Sequence, residues 1–355
     1  MTLTTQQLEP IKIARYSFTL RARHDAILPP FLGSTLRGAF GHALKEVACS
    51  VPHGDCRKCL LVDRCAYPRL FETAQSNSQG LLKNGQQAPR PFIFVPPPPG
   101  PPQGVRARDD LLTWRMGVGA GQSLAFGLTL IGEGIHDLPY VIYAVGLMAH
   151  KGLGVDRVPF EMEHVEVLDL EGELKRVYAP GMSRVRDHAD CHVTLRTLTE
   201  TRLAELEQSQ VGRAVAGGGN SVRRQDTAVS LRFLSPTRLR LKGEVIESPS
   251  FSQLITSLSL RLSMVAESIC PLDYDYQELR ERASQVSAGN STLRMIYLDR
   301  YSDRRSTKLA LDGFMGEITF RDPRISEFLL LLLAGEHLNV GSATAFGLGR
   351  YRVTM

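Results

Sequence analysis

Leu147-Met-Ala-His-Lys-Gly-Leu-Gly-Val-Asp-Arg-Val158 leaves an apolar helical pattern, turns at Gly-Leu-Gly and enters an alternating segment. Leu333-Ala-Gly-Glu-His337 followed by Phe346-Gly-Leu-Gly-Arg-Tyr-Arg-Val353 repeats that course at the other end of the chain. A turn shared by two distant segments points to an internal duplication. The flanking patterns agree. In the first half, apolar and polar residues alternate over 11–20, as in a half-buried strand. An amphipathic helix over 34–49 follows, with Leu36, Phe40, Ala43, Leu44 and Val47 on one face and Ser34 or Thr35 as its cap. Strands over 92–95 and 123–133, a helix over 138–152 and a strand over 160–170 complete the half, with a weak strand within 105–118.

The second half repeats the order. It has a strand over 228–241, an apolar helix over 251–270 with a shorter one over 276–285, a strand pair over 293–298 and 309–320, a helix over 325–334 and a last strand over 348–353. Each half therefore reads βαββαβ. This predicts an α+β chain of two tandem ferredoxin-like domains, at 1–170 and 226–355. The polar stretch 171–225, with Gly217-Gly-Gly219, reads as a connector with some local structure. A length of 355 residues suits two domains.

With 43% hydrophobic and 22% charged residues, both domains have material for a core. The net charge of +5 permits a polyanionic partner without requiring one. The N-terminus lacks a basic segment followed by an apolar one, and the longest apolar run, 328–334, is too short to cross a bilayer. A cytoplasmic protein with unpaired cysteines is expected.

Four features carry candidate chemistry. Gly341, Gly347 and Gly349 lie between a helix and a strand, where exposed amides suit phosphate, Phe346 suits base stacking and Arg350 suits ion pairing. A tight turn that only needs glycine fits the same spacing. His42 lies on the polar side of the first helix, with Lys45 about 60° around from it. Such a pair suits RNA cleavage without metal: the imidazole moves protons to and from the reacting oxygens, and the ammonium stabilises charge growing on phosphate. A solvated helix face is the plainer reading. Tyr16 on the first strand is a weaker candidate for orienting substrate and fits a packed position equally well, and His24, His150 and His337 compete less well than His42. Cys49, Cys56, Cys59 and Cys65 include one C-x2-C pair, so a structural zinc, reduced thiols or an iron–sulfur cluster fit. Arg300, Arg304 and Arg305, with Lys308, Tyr297 and Tyr301, offer phosphate contacts and stacking surfaces or form a solvated hairpin.

The segment Leu333-Ala-Gly-Glu-His-Leu-Asn-Val-Gly-Ser-Ala-Thr-Ala-Phe-Gly-Leu-Gly-Arg-Tyr351 resembles the signature of CRISPR-associated precursor-RNA-processing endoribonucleases of the RAMP (repeat-associated mysterious protein) superfamily. Tyr297-Leu-Asp-Arg-Tyr-Ser-Asp-Arg-Arg305 with Leu311-Asp-Gly-Phe-Met-Gly-Glu-Ile318 resembles the strand pair before that loop. Gly33-Ser-Thr-Leu-Arg-Gly-Ala-Phe-Gly-His-Ala-Leu44 resembles the family's first helix, and Cys56-Arg-Lys-Cys59 to Glu72 the segment after it. The resemblance departs at Ser342, where the family often has Lys.

The resemblance implies tandem RAMP domains and metal-independent cleavage of CRISPR precursor RNA within its repeats. It implies 2′-hydroxyl attack with 2′,3′-cyclic phosphate and 5′-hydroxyl products, and an active-site His on the first helix. It makes precursor and mature guide RNA the expected partners, with CRISPR effector-complex subunits beside them. A non-catalytic RNA-binding subunit of such a complex would share the glycine loop, and a duplicated ferredoxin-like protein without a nucleic-acid role is the third reading.

Overall fold

The computed structural model of the chain describes residues 3–51, 55–72, 88–98, 116–216, 228–241, 243–267, 269–272, 275–302 and 307–355. They form two compact units. The first holds Lys12–Val193 together with Ala345–Gly347, and the second holds Met1–Ile11, Thr194–Thr344 and Leu348–Met355.

The first unit contains β1 (Lys12–Ala22), α1 (Gly33–Ala48), the short α2 (Ala66–Leu70), β2 (Phe92–Val95), β3 (Ser123–Ile131), α3 (Leu138–Lys151), β4 (Phe160–Leu168) and β5 (Leu174–Tyr178). Its antiparallel sheet has the order β2-β3-β1-β4-β5. The first four of these strands give the ferredoxin-like arrangement. In register, Tyr16 faces Leu128 on one side and Val167 on the other. Alternation along β1 sends Ala14, Tyr16, Phe18 and Leu20 into one core with Leu36, Phe40 and Leu44 of α1 and Val141, Val145 and Met148 of α3. Burying each large apolar side chain contributes about 1.5–3 kcal/mol.

The second unit contains α4 (Leu195–Ala216), β6 (Ala228–Thr237), α5 (Phe251–Ala266), α6 (Tyr276–Ser284), β7 (Ala288–Ser291), β8 (Arg294–Ile296), β9 (Gly313–Arg321), α7 (Leu329–Leu338) and β10 (Tyr351–Thr354). Its sheet runs β7-β9-β6-β10, with β8 also on β9, so the same topology recurs. Phe233 packs edge-on to Phe314 at 4.9 Å, and Phe251 meets Phe320 and Phe328. The chain is thus two tandem ferredoxin-like domains, as the repeated pattern predicts.

The connector expected over 171–225 has local structure: β5 extends the first sheet, and α4 is a long helix of the second unit. α4 docks through Arg202, whose Nε donates to the Glu336 carboxylate at 3.2 Å and whose Nη2 donates to the Val353 carbonyl at 2.7 Å. Neither Ser34 nor Thr35 caps α1, which starts after Leu32 with no side-chain cap. Residues 116–118 pair with 26–28 in a separate small sheet, while 105–115 lie outside the described residues. No helix among the described residues is long and apolar enough to cross a membrane.

Candidate active site

α1 buries Leu36, Phe40, Ala43 and Leu44 and leaves His42 exposed. That split follows from the helical period: His42 stands well off the apolar face. Lys45 is half-buried, with Nζ 5.6 Å from the Tyr67 ring centroid. A cation over an aromatic face gains about 0.5–1 kcal/mol at an exposed site. The structure therefore brings His42 and Lys45 together on one helix and gives the lysine an aromatic support.

Tyr16 is placed elsewhere. It points to the helix-facing side of β1, is only 3% exposed, and its hydroxyl lies 2.9 Å from Nε2 of His188. Burial pushes its phenol well above the ordinary range, with Cys191 adding to the effect. Strand alternation turns this side chain inward, which is the packed one of its two expected placements. His188 carries His192 edge-on at 5.0 Å, and burial, then His188 itself, lower the His192 pKa. His24, in the bend after β1, and His150, in the last turn of α3, are exposed, and His337 is half-buried in the last turn of α7.

Two residues near α1 escape sequence reasoning. The Arg37 guanidinium lies 4.1 Å from the Phe71 ring centroid and 5.0 Å from that of Phe346. Arg90 stands 5.5 Å from the same Phe71 ring and donates from Nε to the Phe71 carbonyl at 2.9 Å. The usable signal was the spacing Arg37, Gly41, Lys45, one helical ridge that needs a cover.

The glycine-rich segment is built as a turn first. Gly349 has φ +77°, and a β-carbon there would stand 1.9 Å from the Val340 carbonyl oxygen. Three amides of the segment bond backbone carbonyls: Val340 donates to Gly349 O at 2.9 Å, Ser342 to Arg238 O at 2.9 Å and Gly349 to Pro236 O at 3.0 Å. Gly341 sits with φ +86° against Arg238 O. Phe346 is 7% exposed and Gly347 is buried. Arg350 differs: its amide bonds Ser235 Oγ at 3.0 Å, and its side chain is exposed.

Arg300 lies on a strand, Asp299–Ser302, in register with Leu309, while Arg304 and Arg305 fall outside the described residues. Cys49 closes α1 and Cys65 opens α2. Their thiols donate to backbone oxygens, Cys49 Sγ to Val51 at 3.1 Å and Cys65 Sγ to Ala48 at 3.8 Å. Burial, then Glu72, raise the Cys56 pKa, and Cys49 and Cys65 add to it. Cys59 is half-buried in the same segment. Among the described residues no three His, Cys, Asp or Glu side chains are grouped to hold a metal ion.

Residues 10–190 match the AF_1859_N family, described as an N-terminal domain. Residues 231–351 match the CRISPR-associated endoribonuclease Cas6. An uncharacterized protein of Archaeoglobus fulgidus is 24% identical over 329 residues, 92% of each chain. Among solved structures, a partial Cas6-RT-Cas1–Cas2 complex superposes with TM-score 0.55 at 13% identity over 97% of this chain, which spans only 46% of that longer one. A Cas6 product complex gives TM-score 0.51 at 16% identity, covering 96% of this chain and 98% of that one. Thermus thermophilus Cas6 gives 0.50 at 16% identity, covering 97% and 98%. At such identities the superpositions speak to fold, and the fold is that of Cas6. The AF_1859_N match spans just over half of the chain, so the chain belongs to that family, and its second half carries a match to the CRISPR-associated endoribonuclease Cas6 that agrees with the Cas6 fold.

Proposed function

We propose that this chain cuts CRISPR precursor RNA within its repeats, without a metal ion. The 2′-hydroxyl attacks the adjacent phosphate, leaving a 2′,3′-cyclic phosphate and a 5′-hydroxyl. His42 moves the proton, and Lys45 stabilises charge on the phosphate. The observation that carries this reading is the exposed imidazole of His42 on a helix whose other faces are packed, with Lys45 beside it. Arg350, Arg300, Arg304 and Arg305 are the proposed phosphate contacts, while the glycines shape the turn that carries Arg350. Repeat RNA and CRISPR effector-complex proteins are the proposed partners.

The test uses repeat RNA from the array of the same genome, in EDTA, with wild type and His42→Ala. Cleavage with cyclic-phosphate ends that the substitution abolishes is the expected result. Tight binding without cleavage by the wild type would favour a non-catalytic RNA-binding subunit. Undiminished cleavage by His42→Ala would move the chemistry off this helix. A structural zinc at Cys49, Cys56, Cys59 and Cys65 is a separate proposal. Purified protein without zinc, whose thermal midpoint a chelator does not move, removes it.

A further inference from the structure

Gly33, Arg37, Gly41 and Lys45 recur every four residues, so they form one ridge along α1. Each position on that ridge meets an aromatic residue of the same unit. A β-carbon at Gly33 would stand 1.9 Å from the carbonyl oxygen of Phe346. The Arg37 guanidinium lies 5.0 Å from the Phe346 ring and 4.1 Å from the Phe71 ring. A β-carbon at Gly41 would come 2.1 Å from Phe71, and Lys45 reaches Tyr67. Tyr67 and Phe71 stack on each other at 5.6 Å. A second face of α1, with Leu36, Phe40, Ala43 and Leu44, is fixed in the core. A helix held on two faces can neither roll nor slide, and His42 projects from the part left open.

We infer that Phe346 is a positioning residue for cleavage: with Phe71 and Tyr67 it clasps the ridge of α1 and so aims the His42 imidazole. The glycines at 33 and 41 let the clasp come close, and the arginine between two rings locks its upper half. The inference rests on the proposed role of His42, and it replaces base stacking as the task of Phe346.

Single-turnover cleavage and RNA affinity are measured for Phe346→Ala, Phe346→Leu, His42→Ala and the His42→Ala/Phe346→Ala double variant. Phe346→Ala is expected to lose on the order of 10- to 100-fold in rate at saturating RNA, since small misplacements of a reacting group cost that much. Its RNA affinity should stay within about twofold. Leucine, which refills most of the volume, should restore part of the rate. In the His42→Ala background the second change should add no further loss, because Phe346 acts through His42. Weakened RNA binding with an unchanged rate, a wild-type rate, or additive losses in the double variant would each overturn the inference. If Phe346→Ala does not fold, Gly33→Ala loosens the same clasp from the helix side and is read by the same criteria. Wild-type cleavage by His42→Ala sinks the catalytic reading and this one together, whereas a dead His42→Ala beside a fully active Phe346→Ala sinks the clasp alone.

Discussion

The Tyr16 hydroxyl donates to Nε2 of His188 across 2.9 Å. Nδ1 of that imidazole lies 2.8 Å from the Arg186 carbonyl oxygen, which can only accept, so Nδ1 carries the proton and Nε2 is the acceptor. The pair ties β1 to the segment after β5. Tyr16→Phe should therefore cost about 1 kcal/mol of stability, the net worth of one hydrogen bond. It should leave the cleavage rate unchanged. Denaturant unfolding and single-turnover cleavage check the two halves, and a large rate loss would return Tyr16 to the active site.

This pair shows where sequence reading stops. Alternation along β1 told which residues share a face, and the duplicated Gly-Leu-Gly turns told that two βαββαβ units exist. Neither pattern says what the buried side of Tyr16 meets, because His188 arrives from a segment that is polar on its own. The same limit hid β5, whose residues are exposed except Val177 and Tyr178, so no alternation marks it as a strand. His42 and Lys45 were legible because helical spacing is local. Their support was not, since Phe71, Tyr67 and Phe346 reach α1 from distant parts of the sequence.

Gly349→Ala tests whether the glycine segment is a turn or a phosphate cradle. At φ +77° an L-residue pays about 1–2 kcal/mol, and the new β-carbon would also press on Val340 O. Stability should drop by at least that amount in chemical denaturation. A variant of wild-type stability that binds RNA poorly would restore the cradle.

The buried Glu336 carboxylate accepts from Arg202 Nε at 3.2 Å, from Arg352 Nη1 at 3.0 Å and from the Val353 amide. Glu336→Ala leaves two guanidinium groups and one amide short of their acceptor. Removing one partner of a buried ion pair costs about 3 kcal/mol or more. The loss should be much smaller for Glu336→Leu/Arg202→Leu, where both sides go. Unfolding midpoints of the single and double variants decide it, and equal losses would remove the ion pair as the cause.

Asp322 caps the turn at Pro323–Phe328, and the Arg324 side chain, then the Arg324 amide, hold its carboxyl down at about 2. A carboxyl lowered from its ordinary 3.8 stabilises the fold above that value and loses its contribution as pH falls through about 2. The gap in thermal midpoint between wild type and Asp322→Asn should be constant from neutral pH down to about 4 and close below it. A gap that stays constant from pH 4 down to about 2 would place the stabilisation in the cap geometry alone.

Arg350 is the charge of the glycine segment that reaches solvent, and its backbone is already committed to Ser235 and Leu234. A side chain so placed can pair with phosphate without disturbing the turn. Arg350→Ala should weaken repeat-RNA binding by a similar factor whatever the sequence, and it should reduce the slope of log affinity against log salt by about 1. Fold stability should stay within about 0.5 kcal/mol, as for other exposed substitutions. Binding measured at several salt concentrations separates the outcomes. An unchanged slope with lost affinity would mean that Arg350 reads a base rather than a phosphate, and an unchanged affinity would leave the segment with its packing role only.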